Sequence, residues 1–357
     1  MRTRSIAALL VAAVALAATL VLAEPAAPHR RGTRPNLVVI LSDDQAPDTL
    51  PSDPPAMPWL QARIADPQDH WLWFPNAFIN TPLCCPSRAS ILTGLYSHHT
   101  GVRRNEQGER LDESDTLPVW LHEAGYTTAL IGKYLNRYPF DRGPYIPPGW
   151  DRWIAKRNTL VSTTYYDYGF VDQGVAMRVS DAPDTYATAF FADRAVAFIQ
   201  DAPKDRPFFL YFAPSAPHSP FTPAPDDVGT FDDVALDVPP SVTEGDRSDK
   251  PGWIARKRPY TKPEIARLQE ERRRQRETLL GMDDAARRIV EALEARGELD
   301  RTVIVYLTDN GYAFGEHGIR GKRCPYEECV HTPLAVRVPG RRAATVEGLV
   351  SNVDLAP

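Results

Sequence analysis

The chain has 357 residues, of which 43% are hydrophobic and 24% charged, values typical of a globular protein that can bury a sizeable core. Its formal net charge of −5 argues against nucleic acid as the main partner, although local basic patches could still receive an anionic substrate. Four cysteines are few for a chain of this length, which excludes a disulfide scaffold.

The N-terminus has the pattern of a targeting segment. Arg2 and Arg4 precede an apolar run over residues 6–23, which ends in a small-residue cleavage pattern. The sequence therefore predicts a signal peptide over residues 1–23, a secreted or extracytoplasmic protein, and no stable membrane insertion after cleavage. Because the run approaches the length of a membrane span, an uncleaved anchor is the alternative. Residues 24–35 are rich in proline and are predicted to form a flexible linker.

Four continuous apolar runs are typical of strands that are buried on both faces of a parallel sheet. They cover residues 36–41, 127–132, 207–213 and 302–307. Helical spacing of apolar residues lies between them, at 117–125, 184–201 and 262–296, and the charge-dense residues 270–276 are expected on an exposed helix face. The pattern predicts an α/β fold with a mostly parallel central sheet flanked by helices.

Two long segments lack a sustained period and are predicted to be irregular. Residues 138–178 are rich in proline, glycine, tyrosine and tryptophan, and residues 222–262 are rich in proline and charge. The second segment is expected to pack on the domain or to form a lid. The aromatic stretch at 165–168 is expected either to contact a ligand from a loop or to pack beneath that loop.

Each of the four apolar runs ends in polar side chains. These are Asp43 and Asp44, Lys133, His218, and Asp309 with Asn310. A parallel α/β sheet gathers its strand ends on one side, so these side chains are predicted to form a site. Adjacent carboxylates repel each other unless a cation lies between them, which points to a divalent metal.

Cys84 precedes the predicted start of a helix. Pro86 suits a first helical turn, since it has a fixed φ and no N–H. A helix N-terminus favours an anion, and Arg88 adds a permanent planar charge. From the residues alone, Cys84 is either a nucleophile beside an anion cradle or a buried cysteine at a helix start.

Residues 84–88 (C-C-P-S-R), followed by Thr93 and Gly94, resemble the signature of the type I sulfatases. In that family the first cysteine is oxidised by a formylglycine-generating enzyme to formylglycine, whose hydrate is the nucleophile. The resemblance implies that Cys84 undergoes this oxidation and that Cys85, at the variable position, remains a thiol.

The resemblance also implies a metal site. Its oxygen ligands would come from Asp43, Asp44, Asp309 and Asn310 together with residue 84 derived from Cys84. The expected ion is Ca²⁺, with Mg²⁺ as the alternative.

The same resemblance assigns the remaining catalytic roles. Arg88 would steady residue 84 and neutralise charge, while Lys133 and Lys322 would hold sulfate oxygens. His218 would protonate the leaving alcohol, with Lys322 as a second candidate.

Lys322 lies in residues 315–328, which are similar to the family block G-E-H-G…K-x-x-x-Y-E-E. His317 of this block is expected to have a structural role. Cys324 and Cys329, five residues apart, could pair after export if their geometry allows.

One segment departs from the common family pattern. Many sulfatases have G-K-W-H after the second strand, whereas residues 132–136 read G-K-Y-L-N and place Leu135 at the histidine position. This form is similar to the N-acetylglucosamine-6-sulfatase branch. The base that would release sulfate is therefore open: Asn136 cannot act as a base, and His98 and His99 are candidates without a predicted position.

The resemblance implies an alkaline-phosphatase-like sulfatase fold, with residues 36–357 as a catalytic domain whose C-terminal subdomain is missing or truncated. The expected activity is hydrolysis of a sulfate monoester, from a sulfated carbohydrate or an aryl sulfate. One alternative is a phosphomonoesterase or phosphodiesterase of the same superfamily. The other is an inactive homologue that binds sulfated glycans.

Overall fold

A sheet of ten strands organises the part of the chain that the computed structural model describes, residues 34–157 and 165–356. The predicted signal peptide and the linker up to residue 33 lie outside the described residues. The described residues contain fourteen strands. The strands are β1 (Asn36–Ser42), β2 (Trp71–Trp73), β3 (Ala77–Phe78), β4 (Thr127–Lys133), β5 (Arg152–Lys156), β6 (Gly169–Asp172), β7 (Val175–Arg178), β8 (Phe208–Ala213), β9 (Thr302–Thr308), β10 (Ala313–Phe314), β11 (Arg320–Gly321), β12 (Leu334–Arg337), β13 (Ala344–Thr345) and β14 (Val350–Ser351). Of these, β10 with β11 and β3 with β14 form two small separate sheets.

Eight α-helices accompany these strands in the described residues. They are α1 (Pro58–Ala65), α2 (Cys84–Thr93), α3 (Ser97–Thr100), α4 (Leu117–Glu123), α5 (Ala187–Asp201), α6 (Gly252–Ala255), α7 (Lys262–Arg296) and α8 (Glu327–Val330). The order of strands in the main sheet is β13-β2-β12-β9-β1-β8-β4-β5-β6-β7.

The five central strands, β9, β1, β8, β4 and β5, are parallel to one another, and antiparallel pairings begin on either side of them. Four of the five are the apolar runs that the sequence predicts as buried strands, which confirms the mostly parallel sheet.

Both faces of the sheet are covered, which explains why these strands are apolar throughout. Along β1, Val38 and Ile40 pack with residues of α5 and α7 on one face. Val39 and Leu41 point to the other face and pack with residues of α2. Successive strand residues alternate between faces, so a strand between two helical layers needs apolar side chains at every position.

The long helix α7 follows the predicted bounds of 262–296 and has strong signals at both ends. The hydroxyl and backbone N–H of Thr261 form a capping box with Glu264, and Gly297 ends the helix at φ +72°. The expectation that residues 270–276 are all exposed is wrong, because Gln275 and Arg276 are buried. Their side chains turn toward the loop after β1, where Arg276 Nη2 donates to the backbone oxygen of Asp48 at 3.0 Å.

The irregular prediction for residues 138–178 is also wrong, since this segment contains β5, β6 and β7. β6 and β7 are four residues long, and β7 is exposed along its whole length, so neither has a continuous apolar run. Residues 222–262 do lack strands and contain, besides short 3₁₀ turns, only the four-residue helix α6.

Residues Pro35–Pro357 form one compact unit. Among the described residues, no helix combines the length and the apolar character needed to cross a membrane.

Candidate active site

The polar side chains predicted to meet do meet at the carboxyl edge of the central strands. The register pairs Ser42 of β1 with Thr308 of β9, so Asp43 and Asp309 leave neighbouring strands at the same level. Asp44 follows with φ +65°, a left-handed conformation that directs its N–H to Asp309 Oδ1 at 3.2 Å. The strand ends therefore bring together groups more than 260 residues apart in sequence.

Lys133 reaches this edge because β4 and β8 approach closely just before it. Gly132 has φ +121°, and a Cβ at this position would lie 2.2 Å from the carbonyl oxygen of Ala213. Only glycine fits there. The Lys133 ammonium is buried and donates to Asp43 Oδ2.

Arg88 lies beneath the site and is fully buried. Its Nε donates to Asp309 Oδ2 at 2.7 Å, its Nη1 donates to the Lys133 carbonyl at 2.7 Å, and its Nη2 lies 3.5 Å from Asp43 Oδ2. The guanidinium thus neutralises the carboxylates, and its hydrogen bonds go to Asp309 and the Lys133 carbonyl and not to the Cys84 sulfur. The predicted steadying of residue 84 would act through these carboxylates.

The buried charged groups change one another's pKa values. Burial by itself would raise the pKa of Asp43, but the cations around it, Lys133 foremost, hold that pKa well below its usual range. Burial and the charge of Asp43 raise the pKa of Asp309. Asp43 is therefore held in its ionised form, and its negative charge makes Asp309 easier to protonate.

Cys84 is the first residue of α2 and lies against this group. Its sulfur is 3.5 Å from Asp43 Oδ1 and 3.9 Å from Asp44 Oδ1, and Lys322 Nζ lies 2.6 Å from it. Lys322 also donates to Asp44 Oδ1. Burial and the charge of Asp43 raise the pKa of the Cys84 thiol far above its ordinary value, so the encoded thiol is protonated near neutral pH.

His218 faces the same carboxylates from the loop after β8. Its Nε2 lies 3.4 Å from Asp44 Oδ2, and its Nδ1–H donates to the Ser219 carbonyl at 2.6 Å. Burial is the main cause that lowers the pKa of His218. The Tyr165 hydroxyl donates to the His218 carbonyl at 2.7 Å and holds this loop from below.

The arrangement fits a divalent cation. Potential ligand atoms of Asp43, Asp44, Cys84 and His218 all lie within 4.8 Å of one another. Asn310 Oδ1 is buried without a hydrogen-bond donor among the described residues, while its Nδ2 donates to Asp44 Oδ1 at 2.6 Å. An unsatisfied amide oxygen beside two carboxylates is the donor set of a hard ion such as Ca²⁺.

Asp309 belongs to the predicted ligand set but lies outside that group of four, whereas His218, predicted as an acid, lies inside it. Both Asp309 oxygens already accept hydrogen bonds, from Arg88 and from the Asp44 N–H. Which of these residues bind the metal stays a prediction.

A sequence model described as Sulfatase matches residues 35–357, nearly the whole of the described chain. The chain belongs to the sulfatase family. Its fold is the alkaline-phosphatase-like fold of that family.

Three relatives illustrate the match. Human N-acetylglucosamine-6-sulfatase is 34% identical over 341 residues, which cover 91% of this chain and 60% of that protein. The putative extracellular sulfatase Sulf-1 homolog of Caenorhabditis elegans is 32% identical over 346 residues, 92% of this chain and 46% of that protein. A protein solved in complex with its substrate D-glucosamine-2-N,6-O-disulfate is 27% identical, with a TM-score of 0.74 over 91% of this chain and 76% of that one.

This sulfatase-family chain spans about half the length of the curated relatives it matches. They include N-acetylglucosamine-6-sulfatases from goat and human, the branch that the G-K-Y-L-N segment indicates. Leu135 of that segment is fully buried in the apolar core. His98 and His99 are exposed on α3 and are not among the residues gathered around Cys84.

The aromatic stretch at 165–168 is a packing feature. Tyr165 and Tyr168 are buried, and the Tyr165 ring stacks on Tyr186 with 5.5 Å between centroids. Tyr166 is partly buried, and only Asp167 is exposed. Tyr165 supports the His218 loop, whereas the Tyr168 hydroxyl donates to the Thr185 carbonyl at 3.2 Å, so both buried rings agree with the packing alternative.

Two contributors escape sequence reasoning. Gln275 of α7 donates from Nε2 to the Asp44 carbonyl at 2.8 Å, but it lies in a stretch whose charge predicts exposure. Lys156, the register partner of Lys133, donates to Ser215 Oγ at 3.1 Å in the His218 loop. Burial and the Lys133 charge lower the pKa of Lys156 to about 7. A lysine at the end of a strand is the signal that could identify Lys156, but the sequence predicts the segment that contains β5 as irregular.

Cys324 and Cys329, whose pairing the sequence leaves open, form a disulfide with 5.7 Å between their Cα atoms. His317 stacks on Tyr326 at 3.9 Å between ring centroids, which agrees with a structural role.

Proposed function

We propose that this protein is an exported hydrolase that cleaves sulfate monoesters of sugars through residue 84, oxidised to formylglycine, and a bound Ca²⁺. The observation that carries the proposal is the position of Cys84, at the N-terminus of α2 and in contact with both an aspartate pair and the Lys322 ammonium. The names of the relatives support a sugar sulfate and an extracellular location.

The encoded thiol is poorly suited to attack an anionic ester. It is protonated near neutral pH, and carboxylates lie beside it. Oxidation by a formylglycine-generating enzyme would supply a hydrated aldehyde, with one oxygen to attack sulfur and a second to release sulfate. The two oxygens would also be better ligands than sulfur for a hard divalent ion held by the neighbouring carboxylates.

Lys322 and Lys133 would bind sulfate oxygens. Lys322 contacts the Cys84 sulfur directly, and Lys133 reaches Asp43 from the opposite strand. Their ammonium groups donate without a geometric fork, so each can turn from a carboxylate oxygen to a sulfate oxygen. Arg88 has no such freedom, since its Nε and Nη1 hold Asp309 and a backbone carbonyl.

His218 would give a proton to the leaving oxygen. Its Nδ1–H is committed to the Ser219 carbonyl, so only Nε2 faces the site. A proton on Nε2 exists in the imidazolium form, which the neighbouring Asp44 favours electrostatically. Burial opposes this form more strongly than Asp44 favours it and lowers the pKa of His218, so His218 would act as the acid through the fraction that is protonated, with its Nε2–H on the side of Cys84.

The metal would be held by Asp43, Asp44 and residue 84, with the unsatisfied Asn310 oxygen beside them. A Ca²⁺ there would neutralise the carboxylates and polarise a sulfate oxygen.

The decisive experiment combines chemistry and kinetics on one preparation. Protein coexpressed with a formylglycine-generating enzyme is digested, and the mass of the peptide containing residue 84 is measured. The same sample is then assayed with glucosamine 6-sulfate, nitrophenyl sulfate and nitrophenyl phosphate, with Cys84→Ala as the control. The proposal expects an aldehyde at residue 84 and turnover of the sugar sulfate.

Two outcomes would contradict the proposal. Preferred turnover of nitrophenyl phosphate would indicate a phosphoesterase of the same superfamily. Binding of the sugar sulfate without turnover, with formylglycine and Ca²⁺ both verified, would indicate an inactive glycan-binding homologue.

A further inference from the structure

A second polar cavity lies near the loop that carries Lys322. It has a volume of about 310 Å³ and is lined by residues of the irregular segment before α7, including Glu244, Arg247, Ser248 and Lys257. None of these residues belongs to the Cys84 site.

Arg247 is buried in the wall of this cavity without a counter-ion. The residue is 6% exposed. Its Nε donates to the Glu244 carbonyl at 3.1 Å and its Nη1 to the Lys257 carbonyl at 3.2 Å, but its Nη2 has no acceptor within residues 34–157 and 165–356. A buried guanidinium held only by neutral carbonyls is costly unless an anion completes its hydrogen bonds.

The carboxylates of the same loop are engaged elsewhere. Glu244 and Asp249 both pair with Lys250, at 3.0 and 2.7 Å, and Asp246 accepts the backbone N–H of Ser248 at 2.9 Å. The ammonium of Lys257 forms no ion pair with any described residue. Two cationic side chains, Arg247 and Lys257, thus line the cavity without a carboxylate partner.

Glu244 would need a hydrogen-bond donor from the molecule that fills the cavity. Its Oε1 binds Lys250, but its Oε2 is buried and accepts no hydrogen bond from the described residues. A simple anion would satisfy Arg247 and leave this oxygen unpaired. A sugar unit that carries both an acidic group and free hydroxyls would satisfy both, since hydroxyls donate to carboxylates.

The cavity is close to the Cys84 site along the chain. A Cβ at Gly318 would lie 3.1 Å from Arg247 Nη1 and 3.1 Å from Lys257 Cδ, so Gly318 packs against both side chains. Lys322, which contacts Cys84, follows four residues later, and four residues span at most about 14 Å. Ile254 of α6 packs with Ile319, Cys324 and Cys329, which joins the two segments in one apolar cluster.

We infer that this cavity is a subsite for an acidic sugar unit of the substrate, with Arg247 and Lys257 binding its sulfate or carboxylate group and Glu244 accepting one of its hydroxyls. This inference rests on the proposed function, in that the glycan whose sulfate is cleaved at residue 84 extends to the cavity. The subsite would favour sulfated oligosaccharides over single sulfated sugars.

The test measures binding without turnover. Full-length protein carrying Cys84→Ala is titrated with a fluorescent heparin-derived tetrasaccharide, which has sulfate, carboxylate and hydroxyl groups, and separately with glucosamine 6-sulfate. Arg247→Gln and Lys257→Gln are added one at a time. Arg256→Gln is the matched control, because Arg256 lies in the same segment, is exposed and does not line the cavity.

Each subsite variant is expected to weaken tetrasaccharide binding about 10- to 100-fold, the effect of one charge-assisted hydrogen bond, and to leave monosaccharide binding unchanged. The control should leave both unchanged. Lys257→Gln keeps the test valid if Arg247→Gln alters the loop, because the Lys257 side chain forms no hydrogen bond or ion pair with the described residues, and melting temperatures verify folding of each variant.

Three results would overturn the subsite. These are unchanged tetrasaccharide affinity in both variants, no tetrasaccharide binding to the unsubstituted pocket, and inorganic sulfate competing as well as the tetrasaccharide. Because the assay needs no turnover, a failed subsite leaves the hydrolase proposal intact. Conversely, an inactive protein can still show the subsite.

Discussion

Lys322 Nζ lies 2.6 Å from the sulfur of Cys84, although 238 residues separate the two in sequence. Lys322 lies two residues before the disulfide between Cys324 and Cys329. The contact places a cation directly against residue 84, whereas the Lys133 ammonium donates to Asp43.

Replacing Lys322 by glutamine should lower kcat/KM for sulfate esters about 10²- to 10³-fold, because a charged donor to the reacting group is lost. Arg323→Gln is the matched control, since Arg323 is the adjacent cation and is exposed. Steady-state kinetics on glucosamine 6-sulfate measure both. Equal effects of the two substitutions would show that Lys322 acts only through its positive charge near the site and not through a direct contact with the reacting group.

Cys84 and Cys85 should behave differently despite being neighbours. Cys84→Ala should abolish turnover, whereas Cys85→Ala should keep most of it and cost about 1 kcal/mol of stability, since Cys85 only fills space in the core. In the wild-type protein, mass spectrometry after unfolding and alkylation should find an aldehyde at residue 84 and an alkylated Cys85. Full activity with an unmodified thiol at residue 84 would refute the mechanism.

Removal of metal should inactivate the protein and lower its melting temperature. Asp43 and Asp44 lie side by side at a buried strand end, and an ion that binds them only in the folded state adds its binding free energy to the stability of that state. Activity and thermal unfolding should both recover when Ca²⁺ is added back after exhaustive chelation. If activity persists after metal analysis shows the ion is gone, the metal site is wrong.

His218→Ala should affect two substrates unequally. A sugar alcohol is a poor leaving group and needs the proton from His218, so glucosamine 6-sulfate hydrolysis should fall about 10²- to 10⁴-fold. Nitrophenyl sulfate has a good leaving group and should lose much less. Equal losses on the two substrates would assign His218 to sulfate or metal binding.

Asp283 should make the free energy of unfolding depend on pH. It accepts the N–H groups of Trp59 and Leu60 at 2.7 and 2.8 Å at the start of α1, but burial raises its pKa to about 6. Because the folded state binds this proton more tightly than the unfolded state, the contribution is full below pH 4 and is lost as pH rises through 6.

Asp283→Asn should therefore flatten the pH dependence of stability between pH 4 and 6, measured by urea unfolding. Asp284→Asn is the control, because the Asp284 carboxylate is on the surface of α7 and pairs with Arg287. If the difference in stability between wild type and Asp283→Asn is the same at pH 4 and pH 7, the raised pKa is wrong.

Local sequence was sufficient to predict the central sheet. An apolar run that serves both faces of a strand is visible without any tertiary information, and four such runs became β1, β4, β8 and β9. The polar residues at their ends could be grouped because parallel strands share an edge. The short strands at the sheet margin could not be predicted, since β7 is exposed and relies on pairing with β6.

The sequence by itself determined which residues are candidates for the chemistry, because the motif around Cys84 and the strand-end carboxylates depend on residue type and order. Only the tertiary structure decided which residues support them. Gln275 contacts Asp44 across 231 residues, and Tyr165 packs beneath the His218 loop instead of facing a ligand. Arg247 has no counter-ion among the residues that the structure describes. Periodicity and charge describe a residue's neighbours along the chain, whereas these roles depend on which distant segments fold against it, and that is set by packing of the whole domain.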